Sequence, residues 1–244
     1  ELKKYEKSGA LQIRTSCRAT RLVQDAAGAV VGVAHVDASG AESELRAHET
    51  VLATGGYAND RSVTSLLQRY RPDLYALPTT NGAWATGDGM KMAMEIGAAS
   101  VDMEHVQVHP TGFVDPADAN SSTKVLCGEM MRGVGGILLT PVGERFVDEL
   151  KPRDKVVAAE AATGASEFAL VLSAAAAEEA GRHVELYLHK GLLVKLDGTP
   201  ALAAWMGAAS RGGASADMAA LEARLNATLE AYNAAAATGV DTYG

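Results

Sequence analysis

The sequence has 244 residues, of which 48% are hydrophobic, 21% charged and 5% aromatic, and its net charge at pH 7 is −8. This length is enough for one large domain or two small ones with a substantial buried core. The acidic balance and the lack of any apolar run near the roughly 18 residues of a membrane span argue against nucleic acid partners and against membrane insertion.

The first fifty residues are predicted to end a charged helix and then to form a meander. Short alternating apolar runs between residues 11 and 51 are separated by polar turns at Gly28 and at Ser39-Gly40, a pattern typical of antiparallel hairpins. The segment "TVLATGG" at 50–56 is predicted instead to be a buried apolar strand. It stops at a glycine pair, where a ligand or another backbone can approach closely.

Two helices are predicted between residues 60 and 97. The stretch "DRSVTSLLQRYRPDL" suits a helix that Asp60 caps at its start and Pro72 ends. After the loop "TTNGAWATGDG" at 79–89, the stretch "MKMAMEIGAA" suits a helix that closes at Gly97.

The amino-acid composition shifts near residues 100–110, which is the predicted domain boundary. Residues 105–154 are predicted to be loops and short strands, with "GGILLT" and "ERFVDE" around the turn at 141–143. After Val156 the chain becomes alanine-rich and helical, broken by a strand in "EFALVLS". The clearest helix, 217–237, has apolar residues at core spacing, namely Leu221, Leu225, Leu229 and Tyr232. The pattern predicts an α/β (α+β) fold.

The glycine-rich stretches "ATGGY" and "TTNGAWATGDG" have two interpretations. One is a flavin or dinucleotide site, in which loop N–H groups meet polar ligand atoms and Asp88 accepts a hydrogen bond. The other is a pair of ordinary tight loops. No G-x-G-x-x-G occurs in the chain, so the usual pyrophosphate fingerprint is absent, and on the residues alone the two interpretations stand level.

His109 in "QVHPTGF" is the histidine with the most specific context. A lone histidine is more often structural than functional, but Pro110 fixes the local backbone and suits a side chain held at a defined angle. The remaining histidines have no such context and are interpreted as structural or surface groups: His35, His48, His105, His183 and His189.

Glu129, Arg132 and Arg153 form the second candidate set. A Glu and an Arg three residues apart commonly make a surface pair of little consequence, but a carboxylate between two guanidiniums also connects a proton path. Arginine offers a carboxylate two parallel donors and, with a pKa above about 12, is a poor acid. Residue types alone therefore favour Arg153 as a clamp for an organic acid.

The two cysteines, Cys17 and Cys127, lie far apart and lack metal-ligand spacing, so no metal site is predicted. A reducing compartment fits this usage better than a disulfide. With no signal segment recognised, we expect a soluble intracellular protein of the cytoplasm or an organellar matrix.

Taken together, the segments resemble the flavoprotein of the fumarate reductase and succinate dehydrogenase family, particularly its soluble fumarate reductases. The likeness covers nearly the whole chain in order and is weakest from about 156 to 215. It rests on "VLATGGY", "TTNGAWATGDGMKMAMEIGA", "DMEHVQVHPTGF", "GEMMRGVGGILLTPVGERFVDEL", "PRDKVVAAE" and "YNAAAATGVDTYG".

The resemblance implies two domains and FAD as the cofactor. Residues 1–104 would be the later part of an FAD-binding domain, and residues 105–244 a cap domain that closes over flavin and substrate. The implied flavin contacts are Ala19 through its backbone, Thr54, Gly55, Gly56, Thr80, Asn81 and Asp88.

The resemblance also implies roles for the charged residues. His109 would bind a substrate carboxylate, with Arg153 and Glu129 also at the substrate, and Glu129 and Arg132 would relay protons to Arg153. After hydride transfer from the reduced flavin to one alkene carbon of fumarate, Arg153 would protonate the other carbon to give succinate. On this view Arg153 is the acid and not merely a clamp.

Two departures from the family pattern leave alternatives open. Gly128 stands where many members have a threonine, which removes one hydroxyl contact to a carboxylate. The fingerprint segment and the C-terminal part of the family are not in this sequence, so we expect a middle piece that is inactive alone, with an electron-donor or NADH-linked module elsewhere. The alternatives are a succinate dehydrogenase, a reductase of another unsaturated acid such as urocanate, or a non-catalytic cap-like binding domain.

Overall fold

The chain forms two units, which a computed structural model describes over residues 1–209 and 217–243. The first unit contains Glu1–Leu77 and Asn81–Val106, and the second contains Pro78–Thr80 and the described residues from Gln107 onward. Gly244, the last residue of the C-terminal motif, lies outside the described residues, as do 210–216. The assignment of 1–104 to an FAD-binding domain and of 105–244 to a cap domain stays a prediction.

The first unit begins with a short helix and a three-stranded antiparallel sheet. The order in the sheet is β1-β2-β3, and the turns contain Gly28 and Gly40 with φ of +84° and +86°, conformations that glycine adopts without steric cost. The predicted meander is therefore confirmed. The elements are α1 (Leu2–Lys7), β1 (Arg18–Gln24), β2 (Val30–Val36) and β3 (Glu42–Arg46).

Residues 50–56 correct one prediction, because they are neither a strand nor buried. The side chain of Val51 is 85% exposed and that of Leu52 is 42% exposed. A strand needs a neighbour to satisfy its N–H and C=O groups. Within residues 1–209 and 217–243, no strand pairs with this segment. The apolar composition alone could not reveal that.

The first predicted helix begins later than expected. Helix α2 (Leu66–Tyr70) is capped by Ser65, whose hydroxyl accepts from the N–H of Gln68. The predicted cap, Asp60, is fully buried, accepts from the N–H of Leu66 at 2.8 Å and pairs with the Lys91 ammonium at 2.7 Å. The nearer hydroxyl therefore takes the cap position, and the aspartate supports the helix from outside it.

The remaining helical elements of this unit agree with the sequence. Helix α2 ends before Pro72, which opens a 3-10 turn (Pro72–Leu74). Helix α3 (Asp88–Glu95) is followed by Gly97 at φ +92°, as the predicted glycine stop requires.

The second unit combines two small antiparallel pairs of strands with six helices within the described residues. Strand β4 pairs with β5, and β6 pairs with β7. The elements are β4 (Gly112–Phe113), β5 (Val125–Leu126), α4 (Met130–Gly133), β6 (Ile137–Leu139), α5 (Arg153–Thr163), β7 (Ala169–Val171), α6 (Ala174–Ala180), α7 (Arg182–His189), α8 (Gly198–Ala209) and α9 (Met218–Thr238).

The main core of the second unit lies between the β6-β7 pair and the last two helices. Leu221 and Leu225 of α9 are buried there, and Leu229 and Tyr232 pack against the same cluster, which confirms the predicted core face. The strand predicted in "EFALVLS" is β7. Among the helices of the described ranges, none has the length and apolar character that a bilayer crossing demands.

The stretch "ERFVDE" makes only a single bridge to β6, between Arg145 and Leu139, so a full strand there is not formed. A side-chain carboxylate, that of Glu149, takes the place of a backbone hydrogen-bond partner for β6. The N–H of Leu138 donates to the Glu149 carboxylate at 2.9 Å, and that carboxylate also binds Arg145 at 2.6 Å. Arg145 in turn pairs with Asp241 at 2.9 Å, which fastens the segment after α9 to this turn.

Candidate active site

The second unit joins three of the predicted site residues into one charged cluster. Arg153 is the first residue of α5, and Glu129 precedes the first residue of α4. The guanidinium meets the carboxylate through two parallel bonds, Nε to Oε1 at 2.5 Å and Nη2 to Oε2 at 2.8 Å. Its third nitrogen, Nη1, donates to the side-chain oxygen of Gln107. Such a bidentate pair fixes the orientation of both side chains.

Arg132 extends the cluster inward from Glu129. Its Nη2 lies 3.6 Å from Glu129 Oε1, and its side chain is 5% exposed, against 48% for Glu129 and 37% for Arg153. Its Nη1 donates to the backbone carbonyl of Glu149. The cluster therefore runs from a solvent-accessible pair to a buried cation.

The charges in the cluster stabilise each other in their ionised forms. The hydrogen bond from Arg153 holds the pKa of the Glu129 carboxyl below its usual range, and the same bond raises the pKa of Arg153. Both groups remain in reach of solvent, which screens the pair. At neutral pH the resting state is carboxylate and guanidinium.

His109 is held by its Nδ1 atom, beside the same charges. Nδ1 lies 3.0 Å from the carbonyl oxygen of Thr111 and 3.2 Å from the Thr111 nitrogen, and a given tautomer can use only one of these two groups. Burial lowers the pKa of His109, and the positive charges of Arg153 and Arg132 act in the same direction. In the neutral form that accepts from Thr111 N–H, the proton is on Nε2, which can donate to an anion.

The backbone at Gly128 is fixed by a residue that the sequence reasoning missed. The Tyr187 hydroxyl accepts from Gly128 N–H at 3.2 Å and donates to the Leu126 carbonyl at 3.3 Å. A Cβ atom at Gly128 would lie 3.5 Å from that hydroxyl oxygen, an ordinary contact distance. Tyr187 is far away along the chain, on α7, and no local pattern marks it.

Gln107 and Glu160 were also missed, although the sequence carries a weak signal for each. Gln107 lies two residues before His109, and in an extended segment such residues point to the same side. Glu160 follows Arg153 by about two helical turns on α5, so that both lie on one side of the helix. Burial raises the pKa of Glu160 to about 7, while the charge of Arg132 opposes that rise.

Cys127, next to Gly128 in the chain, is a buried free thiol. Its carbonyl accepts from the Thr111 hydroxyl at 3.0 Å, and burial raises the pKa of its thiol to about 11. Both Cys127 and the half-buried Cys17 are free in the part of the chain that the structure describes.

The first unit holds the glycine pair predicted to meet a flavin. Thr54 and Gly55 line a cleft of about 380 Å³ together with residues of α3 and of 98–103. Gly55 has φ of +77°, and a Cβ atom at Gly55 or Gly56 would meet no described atom within 4 Å. The backbone here is thus open to a ligand, and the residues fit a group that is bound through main-chain atoms.

Gly89 gives this cleft its close packing. A Cβ atom there would lie 2.1 Å from the Thr54 hydroxyl oxygen, so only glycine lets the threonine lie against α3. Asp88, the first residue of α3, is exposed and accepts from the Thr86 hydroxyl at 2.8 Å.

The other predicted flavin contacts are less closely grouped. Ala19 lies on β1, where the pairing with β2 slips between Ala19 and Arg21. Asn81 is exposed in the first unit, and its carbonyl accepts from the Asn59 amide at 3.1 Å. Thr80 belongs to the second unit, as do His109, Glu129, Arg132 and Arg153.

Comparison with known proteins adds family information to this geometry. A family model described as FAD binding domain matches residues 2–243. A fumarate reductase of Schizosaccharomyces pombe is 47% identical over 187 residues, which is 76% of this chain and 36% of that protein. A urocanate reductase of Eggerthella lenta is 32% identical over 148 residues, which is 60% of this chain and 23% of that protein.

A solved structure of a fumarate reductase has a fold similar to that of this chain. The open conformation of a flavocytochrome c3 fumarate reductase superposes with a TM-score of 0.71 at 29% identity, covering 100% of this chain and 39% of that one. The mixed helix and sheet architecture expected from the sequence is therefore confirmed. The chain spans little more than a third of the length of the fumarate reductases that it matches.

Proposed function

The chain belongs to the FAD binding domain family, and from that premise we propose that it is the central part of an enzyme that reduces fumarate to succinate. The observation that carries the proposal is the bidentate pair of Arg153 and Glu129 with Arg132 behind it. Residues 1–104 would contribute to FAD binding and residues 105–244 would form the cap. A separate electron-donor module would reduce the flavin.

FAD, the cofactor of this family, supplies a hydride from its reduced ring when bound. The open glycine pair and the exposed carboxylate of Asp88 suit its polar atoms, because exposed main-chain groups can donate and accept without rearrangement. The residues that would hold it are Ala19, Thr54, Gly55, Gly56, Thr80, Asn81 and Asp88.

The substrate would be held as a dianion by cationic and neutral donors of the second unit. Arg153 offers a guanidinium, and His109 offers the Nε2 proton of its neutral form. Such a local group of donors can gather an anion although the chain as a whole carries a charge of −8. Glu129, which neutralises part of the Arg153 charge, would keep the guanidinium oriented toward the substrate.

Arg153 would then protonate the alkene carbon that does not receive the hydride. A guanidinium is a weak acid, so it can act only on a strongly basic carbanion, and its proton must be replaced at once. Glu129 is positioned to return that proton, because its two oxygens lie 2.5 and 2.8 Å from nitrogens of Arg153. Arg132, 3.6 Å from Glu129, would be next in the path.

A second candidate function is the reduction of another unsaturated acid. It is favoured by Gly128, which has no side chain to offer a hydroxyl and whose N–H is bonded to Tyr187. The match to a urocanate reductase supports the same possibility of a different acid. Turnover with fumarate and with urocanate, measured side by side, separates the two.

The test uses the protein at its full natural length, loaded with FAD. We expect fumarate to oxidise a reduced viologen dye in the wild type, and Arg153→Ala to lower the rate about a thousandfold, within the range for loss of a general acid. Flavin absorbance per protein should stay unchanged. Arg182→Ala, an exposed arginine on α7, is the matched control. A rate of Arg153→Ala within a few fold of the wild type would refute the role of Arg153.

A further inference from the structure

Helix α5 carries a carboxylate on its buried side. Val156 is fully buried in a cluster with Leu138 and Val147, and Glu160 follows Val156 by about one turn, on the same side of the helix. Apolar side chains are the usual occupants of such a stripe. Glu160 is therefore a residue whose position packing alone does not explain.

Two enclosed polar atoms in this region lack hydrogen-bond partners. Among the residues that the structure describes, the Oε1 atom of Glu160 and the Nε atom of Arg132 are both buried and unpartnered. An unpartnered buried polar atom is costly and rare in native proteins. One atom is an acceptor and the other a donor, and the charge of Arg132 acts on Glu160.

The neighbouring charges leave Arg132 as the cation that governs Glu160. On the elements packed against α5, Arg145 and Glu149 are bound to each other at 2.6 Å, and Arg145 also neutralises Asp241. Burial raises the pKa of Glu160 to about 7 although Arg132 lowers it. A carboxyl group with this pKa exchanges a proton near neutral pH, whereas the hydrogen bond from Arg153 lowers the pKa of Glu129.

We propose that Glu160 stores the proton that Arg132 passes to Glu129, which makes it a fourth member of the relay that supplies Arg153. This inference rests on the proposed reduction of an unsaturated acid. The relay then alternates in charge from the substrate inward, in the order Arg153, Glu129, Arg132 and Glu160. Glu160 acts through Arg132 and does not touch the substrate.

The proton transfers balance. Arg153 loses an N–H proton to the substrate carbanion and regains one from Arg132 by way of Glu129. Neutral Arg132 takes a proton from the Glu160 carboxylic acid, which becomes a carboxylate. The described ion pairs do not join Arg132 to Glu160 directly, and in our proposal a bridging water molecule between the unpartnered Nε and Oε1 atoms would carry this last transfer. Bulk water then reprotonates Glu160.

The first experiment measures the pH profile of fumarate reduction by the full-length, FAD-loaded protein. In the wild type the rate should fall as the pH rises through about 7, because only the protonated Glu160 can donate. Glu160→Gln should lower the rate about tenfold at pH 6 and abolish this inflection. Glu160→Asp should restore the inflection, and Glu179→Gln, an exposed glutamate on α6, should behave as the wild type.

The outcomes separate this inference from the proposed function. A wild type that holds FAD but reduces neither fumarate nor another unsaturated acid refutes the proposed function. A wild type that reduces fumarate, together with a Glu160→Gln profile identical to it, refutes only the role of Glu160.

A second experiment covers the case in which Glu160→Gln folds poorly or another step limits the rate. Infrared difference spectra are recorded without substrate between pH 5 and 9 on the wild type and on Glu160→Asp. The wild type should show a carboxyl band that disappears near pH 7, and the comparison with Glu160→Asp assigns that band to residue 160. Arg132→Met should move that midpoint upward, because it removes the cation that lowers the pKa. If no carboxyl titrates there, or the midpoint does not move, the inference is overturned.

Discussion

The two units present their candidate site residues in opposite ways. In the second unit Arg153, Glu129 and Arg132 are held by one another and by Gln107 and Glu149. In the first unit the segment 50–56 is exposed along most of its length, and its glycines face open space. The charged candidate residues are thus oriented by their own contacts, whereas the candidate cofactor residues offer open backbone. Preorganised charge is what a proton donor needs.

The largest expected effect comes from a substitution in the charged cluster of the second unit. Glu129→Gln keeps the shape of the side chain but cannot accept and return a proton, and it weakens the bidentate bond to Arg153. We expect the rate of fumarate reduction to fall by about a hundredfold to a thousandfold, with flavin content unchanged. The measurement is steady-state kinetics, and Glu178→Gln on α6 is the control. A loss of less than about fivefold would mean that Arg153 regains its proton from another group.

The second prediction concerns the pH dependence of the free energy of unfolding, which should depend on Glu160 in the second unit. The pKa of Glu160 is raised in the fold from an ordinary value of 4.5 to about 7, so the native state binds more protons than the unfolded state between these values. Stability conferred by this group is therefore lost as the pH rises through about 7. Glu160→Gln should stabilise the protein by about 2 kcal/mol at pH 8 and have little effect at pH 4.5.

Thermal melting at both pH values, with Glu179→Gln alongside, measures this difference. An equal effect of Glu160→Gln at pH 4.5 and pH 8 would indicate a packing change and not a titration.

Gly89→Ala is expected to disturb the cleft of the first unit. The added Cβ would collide with the Thr54 hydroxyl, so Thr54 must shift from its place in the cleft that it lines with Gly55. We expect FAD to bind about tenfold more weakly, a change of about 1.4 kcal/mol, measured by fluorescence titration of the apoprotein. Gly133→Ala, where the new atom meets nothing within 4 Å, should bind FAD normally. Unchanged affinity in Gly89→Ala would remove Thr54 from the flavin site.

The smallest expected effect concerns the substrate and not the cofactor. Gly128→Thr adds a hydroxyl beside Glu129, and its Cβ atom would lie at an ordinary contact distance of 3.5 Å from Tyr187 Oη. We expect the KM for fumarate to fall about threefold, as one added hydrogen bond contributes about 0.5–1.5 kcal/mol. Gly128→Ala should leave KM unchanged. If fumarate affinity falls and urocanate turnover is lost as well, the glycine is required for the natural substrate.

The sequence predicted what depends on local pattern and missed what depends on distant partners. The meander turns, the stop at Gly97 and the buried face of α9 follow from periodicity and glycine conformation, and the structure confirms them. The strand at 50–56 was wrong because a strand exists only beside a partner. The predicted start of α2 was wrong because the chain offers two capping residues before the helix, and Ser65 takes the cap position in place of Asp60.

In the candidate site, too, the residues that depend on contacts between distant parts of the chain could not be predicted from local pattern. Residue types grouped Glu129 with Arg132 and Arg153, and the family resemblance gave them roles, but nothing in the spacing of Glu129 and Arg153 predicts contact between residues 24 positions apart. Tyr187 could not have been found, because its hydroxyl reaches Gly128 across 59 positions of the chain. Glu160 could have been noticed as a charged residue on the buried stripe of α5.

The burial of Cys127 makes the chain suitable for selective labelling. A thiol with a pKa of about 11 is almost entirely protonated at neutral pH, and the thiolate is the form that reacts with maleimides. Cys17 lies in the first unit and is only half buried. A fluorophore added at pH 7 should therefore attach at Cys17 beside the first sheet, and leave the residue next to Gly128 unmodified.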